Sequence, residues 1–73
     1  MTDQDKYVTV EVRYLSMSHT SLQVEYTDTF GAQEEAWIAF EHIKDRNEID
    51  IFADVFELEI NHTIALREGF IDD

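Results

Sequence analysis

The sequence predicts a mainly β domain, a small antiparallel sheet completed by a short C-terminal helix, and three observations carry that prediction. Apolar residues recur at every second position in four segments, a helix-capping pair brackets residues 62–68, and the composition is that of a folding chain. With 73 residues, 44% of them hydrophobic and 30% charged, the chain has enough apolar surface for one core and too little length for two. A single domain over 1–73 follows.

Tyr7 to Leu15 alternates, with Val8, Val10, Val12 and Tyr14 on one face and Thr9, Glu11 and Arg13 on the other, the period of a half-buried strand. Ser16-Met17-Ser18-His19-Thr20-Ser21 is a linker of turn-prone hydroxyls. Leu22, Val24 and Tyr26 then alternate against Gln23 and Glu25, predicting a second strand in a hairpin with the first. Thr27 to Gln33 contains Gly31 and reads as a loop. Farther on, Ile49 and Ile51 alternate with Glu48 and Asp50, and Phe56, Leu58 and Ile60 alternate with Glu57 and Glu59, predicting two more strands. Asn61 is a suitable N-cap, His62 to Glu68 is helix-compatible, and Gly69 sits where a C′ glycine belongs. Phe70 and Ile71 supply an apolar tail that can pack back on the core.

Residues 31–46 admit two readings. Ala32, Ala36, Ala39, Phe40 and Ile43 form a helical stripe, with Glu34 and Glu35 near its start and Lys44 and Arg46 near its end, which gives an α+β alternative with a helix at about 31–46. Ala36 to Phe40 is also a continuous apolar run of strand length, and Ile38 falls off the helical stripe. Local pattern slightly favours helix.

The segments Glu35-Ala36-Trp37-Ile38-Ala39-Phe40-Glu41-His42-Ile43, Asp54-Val55-Phe56-Glu57-Leu58-Glu59-Ile60 and Ala65-Leu66-Arg67-Glu68-Gly69-Phe70-Ile71, with Leu22-Gln23-Val24-Glu25-Tyr26 upstream, form a familiar layout. It resembles small acidic proteins encoded by phages and prophages, over roughly residues 20–71. That group carries a Trp-Ile-Pro strand end where this chain has Trp37-Ile38-Ala39, and a Pro-acidic-Trp helix start where it has Asn61-His62-Thr63. The resemblance implies that Trp37-Ile38 lies on a strand, because proline there is badly tolerated inside a helix. It implies a twisted sheet of about five strands, curled into a partial barrel of SH3-like or OB-like kind with the helix at one end and its edges hidden.

Seventeen Asp and Glu against five Lys and Arg give a net charge of −12. The field of such a body repels nucleic acid and anionic membranes and speeds encounters with basic proteins, so neither direct nucleic-acid binding nor a membrane partner is expected. The charge is no tail: residues 1–36 hold seven acids and residues 37–73 hold ten. No apolar run reaches membrane-span length, and Met1 to Lys6 lacks a signal-peptide pattern, so a cytoplasmic protein is expected, in the host cell if phage-encoded. The absence of cysteine removes disulfides, thiolate metal sites and thiol catalysis.

Catalytic signals are weak. His19, His42 and His62 form no metal-ligand spacing. Asp45 to Asp50 resembles a calcium loop only until Asp50 appears where glycine must turn the chain. Ser16, Ser18 and His19 crowd one linker, no nucleophile elbow is present, and two glycines build no phosphate loop. The chain therefore reads as a non-enzyme with no cofactor and no metal. Trp37 reads as core from its place in an apolar run, the alternative being a partner anchor. Tyr7, Tyr14 and Tyr26 are the candidates for stacking single-stranded bases in an OB-like barrel.

The remaining signal is acidic. Asp45, Glu48, Asp50, Asp54, Glu57 and Glu59 are opposed within 45–59 only by Arg46, and the strand-borne pairs Glu48/Asp50 and Glu57/Glu59 are expected to point outward about 6.6–6.8 Å apart. With Glu11 and Glu25 they form the expected partner-binding set. The leading functional expectation is a phage-type accessory protein that occupies a basic, nucleic-acid-binding surface of a host protein or nucleoprotein complex, as anti-CRISPR or anti-restriction inhibitors do, by partial mimicry of a polyanion. The alternatives are an OB-like accessory module of phage recombination or replication, and a plain interaction domain whose acidity serves solubility or a salty cytosol. Oligomeric state is not encoded in any visible motif.

Overall fold

The computed structural model describes residues 6–72. The N-terminal residues read above for a signal peptide, Met1 to Asp5, lie outside them, as does Asp73. Four strands, β1 (Tyr7–Met17), β2 (Ser21–Thr27), β3 (Gln33–Ala39) and β4 (Phe56–Asn61), form one antiparallel sheet in the order β3-β2-β1-β4, followed by helix α1 (His62–Glu68). The fold is mainly β with a short C-terminal helix, as the alternation predicts.

One parity rule organises the sheet. As far as the bulge in β1, even-numbered residues face the core and odd-numbered residues face solvent on the four strands: Val10, Val12, Leu22, Val24, Tyr26, Ala36, Ile38, Phe56, Leu58 and Ile60 are buried. Beyond the bulge, where Ser16 pairs with Gln23 and Met17 with Leu22, the parity of β1 reverses. Leu22, Ile38, Leu58, Ile60, Val12 and Val24 are the largest fully buried side chains, each contributing about 1.5–3 kcal/mol of burial free energy. β1 runs past its predicted end to Met17 and carries a bulge between Tyr14 and Ser16, where the register with β2 shifts and Leu15 is left exposed.

Local chemistry closes the connections. Ser18 Oγ accepts from the N–H groups of Thr20 and Ser21, turning β1 into β2. Asp28 Oδ1 accepts from Phe30 and Ala32, and Gly31 at φ 86° completes the β2–β3 turn. Asn61 caps α1 by accepting from Thr63 and Ile64, and Gly69 at φ 83° ends it, in the positions read from the sequence. The tail then packs back: the Phe70 ring stacks on Tyr26 with centroids 3.8 Å apart, and the Tyr26 hydroxyl donates to the Glu68 carbonyl.

Several expectations are corrected. Of the two readings of residues 31–46, the strand implied by the resemblance forms and the alternative helix does not: residues 33–39 are β3, and a single 3-10 turn (Phe40–His42) follows. The sheet has four strands instead of five, because the segment of Ile49 and Ile51 is held by side-chain caps. Asp45 accepts from the Asn47 N–H to start a 3-10 turn (Arg46–Glu48), and Asp50 accepts from the Phe52 N–H. The sheet is also open and leaves one edge uncovered, whereas the partial barrel would hide both.

Candidate functional site

The solvent face of the sheet is built from the odd-numbered residues. Glu57 and Glu59 stand on β4, Thr9, Glu11 and Arg13 on β1, Gln23 and Glu25 on β2, and Glu35 and Trp37 on β3. The register sets Glu11 directly against Glu57, Thr9 against Glu59, Glu25 against both Arg13 and Glu35, and Gln23 against Trp37. Two like-charge pairs thus face each other across strands, an arrangement that opposes folding. Arg13 Nη1 lies 3.9 Å from Glu25, and Lys44 Nζ lies 3.6 Å from Glu59. Such half-exposed ion pairs contribute about 0–1 kcal/mol each and leave the face anionic.

Of the eight acids singled out from the sequence, Glu11, Glu25, Glu57 and Glu59 share this face. Asp45, Glu48, Asp50 and Asp54 do not; they lie in the connection between β3 and β4. Three of those four carboxylates bind main-chain N–H groups, Asp45 and Asp50 within their turns and Glu48 on Glu59 at 3.1 Å. The expected outward row of Glu48 and Asp50 is absent because the strand meant to carry it is absent. Burial raises the Glu48 carboxyl above its ordinary value, the bond from the Glu59 N–H opposes the rise, and the charges of Glu59 and Asp45 add to it. Arg46, the one cation within 45–59, lies over the Phe40 ring with its guanidinium carbon 4.6 Å from the centroid.

Trp37 is not core. It is 52% exposed on the solvent face of β3, because residues 36–39 of the apolar run lie on a strand with only one buried face. Nor do Tyr7, Tyr14 and Tyr26 form a platform: Tyr7 points to solvent while Tyr14 and Tyr26 sit on the core side, with Tyr26 buried. Sequence reading missed Glu35 as a member of the acidic face, although its alternation with Ala36 and Trp37 was the available signal.

The two edges of the sheet differ. Beyond β4, Ile43 bridges Ile60, the Lys44 N–H donates to the Glu59 carbonyl, and Glu48 takes the Glu59 N–H. Beyond β3, no strand or bridge is present among the described residues. The bonds Asp28 N–H to Ala32 carbonyl and Phe40 N–H to Thr20 carbonyl fix the pairing phase, so even-numbered residues of β3 bond to β2. The N–H and C=O groups of Gln33, Glu35 and Trp37 therefore point off the sheet.

Among the described residues, no group of three or more His, Asp or Glu side chains is placed to hold a metal ion, and no helix is long and apolar enough to cross a membrane. Fold and surface define a small open β-sheet protein with an anionic face. Neither a family model nor a curated protein nor a solved structure matches the chain.

Proposed function

We propose that this protein is a non-enzymatic, phage-type accessory protein that binds a basic, nucleic-acid-binding surface of a host protein or nucleoprotein complex and blocks it. The observation that carries the reading is the solvent face on which Glu11 opposes Glu57 and Glu25 opposes Glu35. Carboxylates held opposite one another in a sheet cost stability, and a cationic partner relieves that cost on binding. Strand spacing sets Glu57 and Glu59 about 6.6–6.8 Å apart, about twice the 3.4 Å charge spacing along one strand of a duplex, so the mimicry is partial. The net charge of −12 steers encounter with a basic groove, and the resemblance to small acidic phage proteins supplies the host context. Blocking is then competition: the carboxylates pair with the Lys and Arg that otherwise hold phosphates.

The test is retention of basic nucleic-acid-binding complexes from host lysate on the immobilised protein, followed by nucleic-acid displacement with the purified partner. The expected result is capture that weakens steeply with salt and is lost when Glu11, Glu25, Glu35 and Glu57 are changed together to Gln. Capture that ignores both salt and these substitutions, or a partner that still binds its nucleic acid when saturated, overturns the reading.

A further inference from the structure

We infer that the free edge of β3 is a strand-docking site for an extended cationic segment in which Lys or Arg alternates with apolar residues. The inference rests on the proposal above that the partner is basic, and adds how that partner is held. The outward N–H and C=O groups of Gln33, Glu35 and Trp37 form a ready ladder, and strands with free edges commonly recruit another strand. The β4 edge differs, since there the chain's own 43–48 segment takes both outward main-chain groups of Glu59.

β3 also lacks most of the usual guards of an open edge. It carries no proline, lysine or arginine and its pairing with β2 shows no bulge among the described residues; its one guard is acidic, Glu34 and Glu35, which turns away acidic strands and admits a cationic one. Its side chains specify the occupant. On the solvent face an added strand meets Glu35 and the exposed Trp37 ring, which take a cation by ion pairing and by cation–π contact. On the other face it meets Ala36 and Ile38, whose burial calls for apolar neighbours. A second copy of this chain fits poorly, because each copy brings a charge of −12 and Glu34 and Glu35 on the pairing strand itself.

The experiment uses the full ¹⁵N-labelled chain and a synthetic peptide of alternating Lys and Val, as long as the seven-residue β3. Expected are amide shift changes centred on residues 33–39, slowed hydrogen exchange at Glu35 and Trp37, and about tenfold weaker binding to Glu35→Lys. A second probe, the same peptide with N-methylated backbone, keeps the charges but lacks the strand donors, and is expected to lose the protection at Glu35 and Trp37. Glu35→Pro removes one outward donor and is expected to do the same.

Equal binding of the N-methylated peptide, with shifts confined to Glu11, Glu57 and the 44–55 connection, overturns the edge inference and leaves the basic-partner reading standing. No binding of either peptide at low salt overturns both. Protection of Glu35 and Trp37 in the protein alone, with a dimer mass, overturns the cationic occupant in favour of self-pairing.

Discussion

The Glu48 carboxylate accepts the main-chain N–H of Glu59 at 3.1 Å, and by that bond a loop acid does the work of a fifth strand on the outer edge of β4. Ile43 and Lys44 continue the cover with a bridge to Ile60 and a bond to the Glu59 carbonyl. The consequence is an asymmetric sheet: one edge is covered at Glu59 and Ile60 by the chain itself, and the other, β3, has no such cover among the described residues. Of the 17 acids, Glu48 joins Asp28, Asp45 and Asp50 in bonding main-chain N–H groups, which separates structural from surface carboxylates in a way that charge counting cannot.

Glu48→Ala is expected to destabilise the protein by about 1–2 kcal/mol, because it leaves the Glu59 N–H without its acceptor. Glu48→Gln keeps an acceptor oxygen and removes the repulsion from Glu59 and Asp45, so it is expected to be neutral or stabilising at pH 7. The pH dependence separates the two effects. The Glu48 carboxyl is raised above its ordinary 4.5 chiefly by burial, so protonation favours the folded state. Its contribution is present in full below about that value and is lost as pH rises through the folded value. Urea unfolding of wild type and Glu48→Gln from pH 4 to 8 is expected to show the variant gaining relative to wild type as pH rises.

Tyr26 joins the sheet to the tail by two separable contacts, its ring on Phe70 and its hydroxyl on the Glu68 carbonyl. Tyr26→Phe removes only the second, with an expected loss of about 1 kcal/mol, whereas Tyr26→Ala removes both and is expected to cost about 3–5 kcal/mol. Burial raises the hydroxyl above its ordinary 10.0, and the charges of Glu68, Glu34 and Asp28 raise it further. A group raised on folding stabilises fully below its unfolded value and ceases to do so as pH rises through the folded one. Alkaline unfolding monitored by circular dichroism is therefore expected to fall off more steeply above pH 10 in wild type than in Tyr26→Phe.

Gly31 and Gly69 have φ of 86° and 83°. A Cβ at Gly31 meets nothing within 4 Å, and one at Gly69 meets only Asp28 Cβ at 3.9 Å, so space is not the constraint at either position. Alanine at each is expected to cost about 1–2 kcal/mol from left-handed backbone strain alone. In a domain of this size each such change lowers Tm by roughly 4–8 °C per kcal/mol, measurable by thermal melting. Asparagine, which tolerates this backbone region better, is expected to cost less than alanine at Gly31.

The parts of this fold legible in the sequence are those set by short-range chemistry. Val8 to Tyr14 and Phe56 to Ile60 alternate because one face of each strand is buried, and Asn61 and Gly69 delimit α1 through bonds within a few residues. Ile49 and Ile51 alternate too, yet a period of two over so few residues also arises in a chain of turns. There the signal was the placement of Asp45 and Asp50 two residues before accepted N–H groups. Trp37 and Glu35 were hidden for a different reason. Which member of the run 35–40 faces solvent depends on pairing with β2, a contact that no local window contains. The candidate face was accordingly half legible: Glu11, Glu25, Glu57 and Glu59 follow from strand parity, while Glu35 and the open edge follow only from sheet order.

Glu11 and Glu57 stand directly opposite on neighbouring strands, so stability and binding are expected to move in opposite directions when either is changed. Glu57→Lys converts the like-charge pair into an attractive one and is expected to stabilise the fold by about 0.2–1 kcal/mol, more at low salt than at high. The same substitution removes an acid from the face and adds a cation, so retention of a basic partner is expected to fall by about tenfold. Paired measurements on Glu57→Lys and Glu11→Gln, unfolding free energy on one axis and partner retention on the other, therefore distinguish a surface kept acidic for binding from one that is merely solvated. A surface acidic only for solubility yields gains in stability with no binding loss. A binding surface yields both together, because the repulsion that weakens the free protein is what the cationic partner relieves.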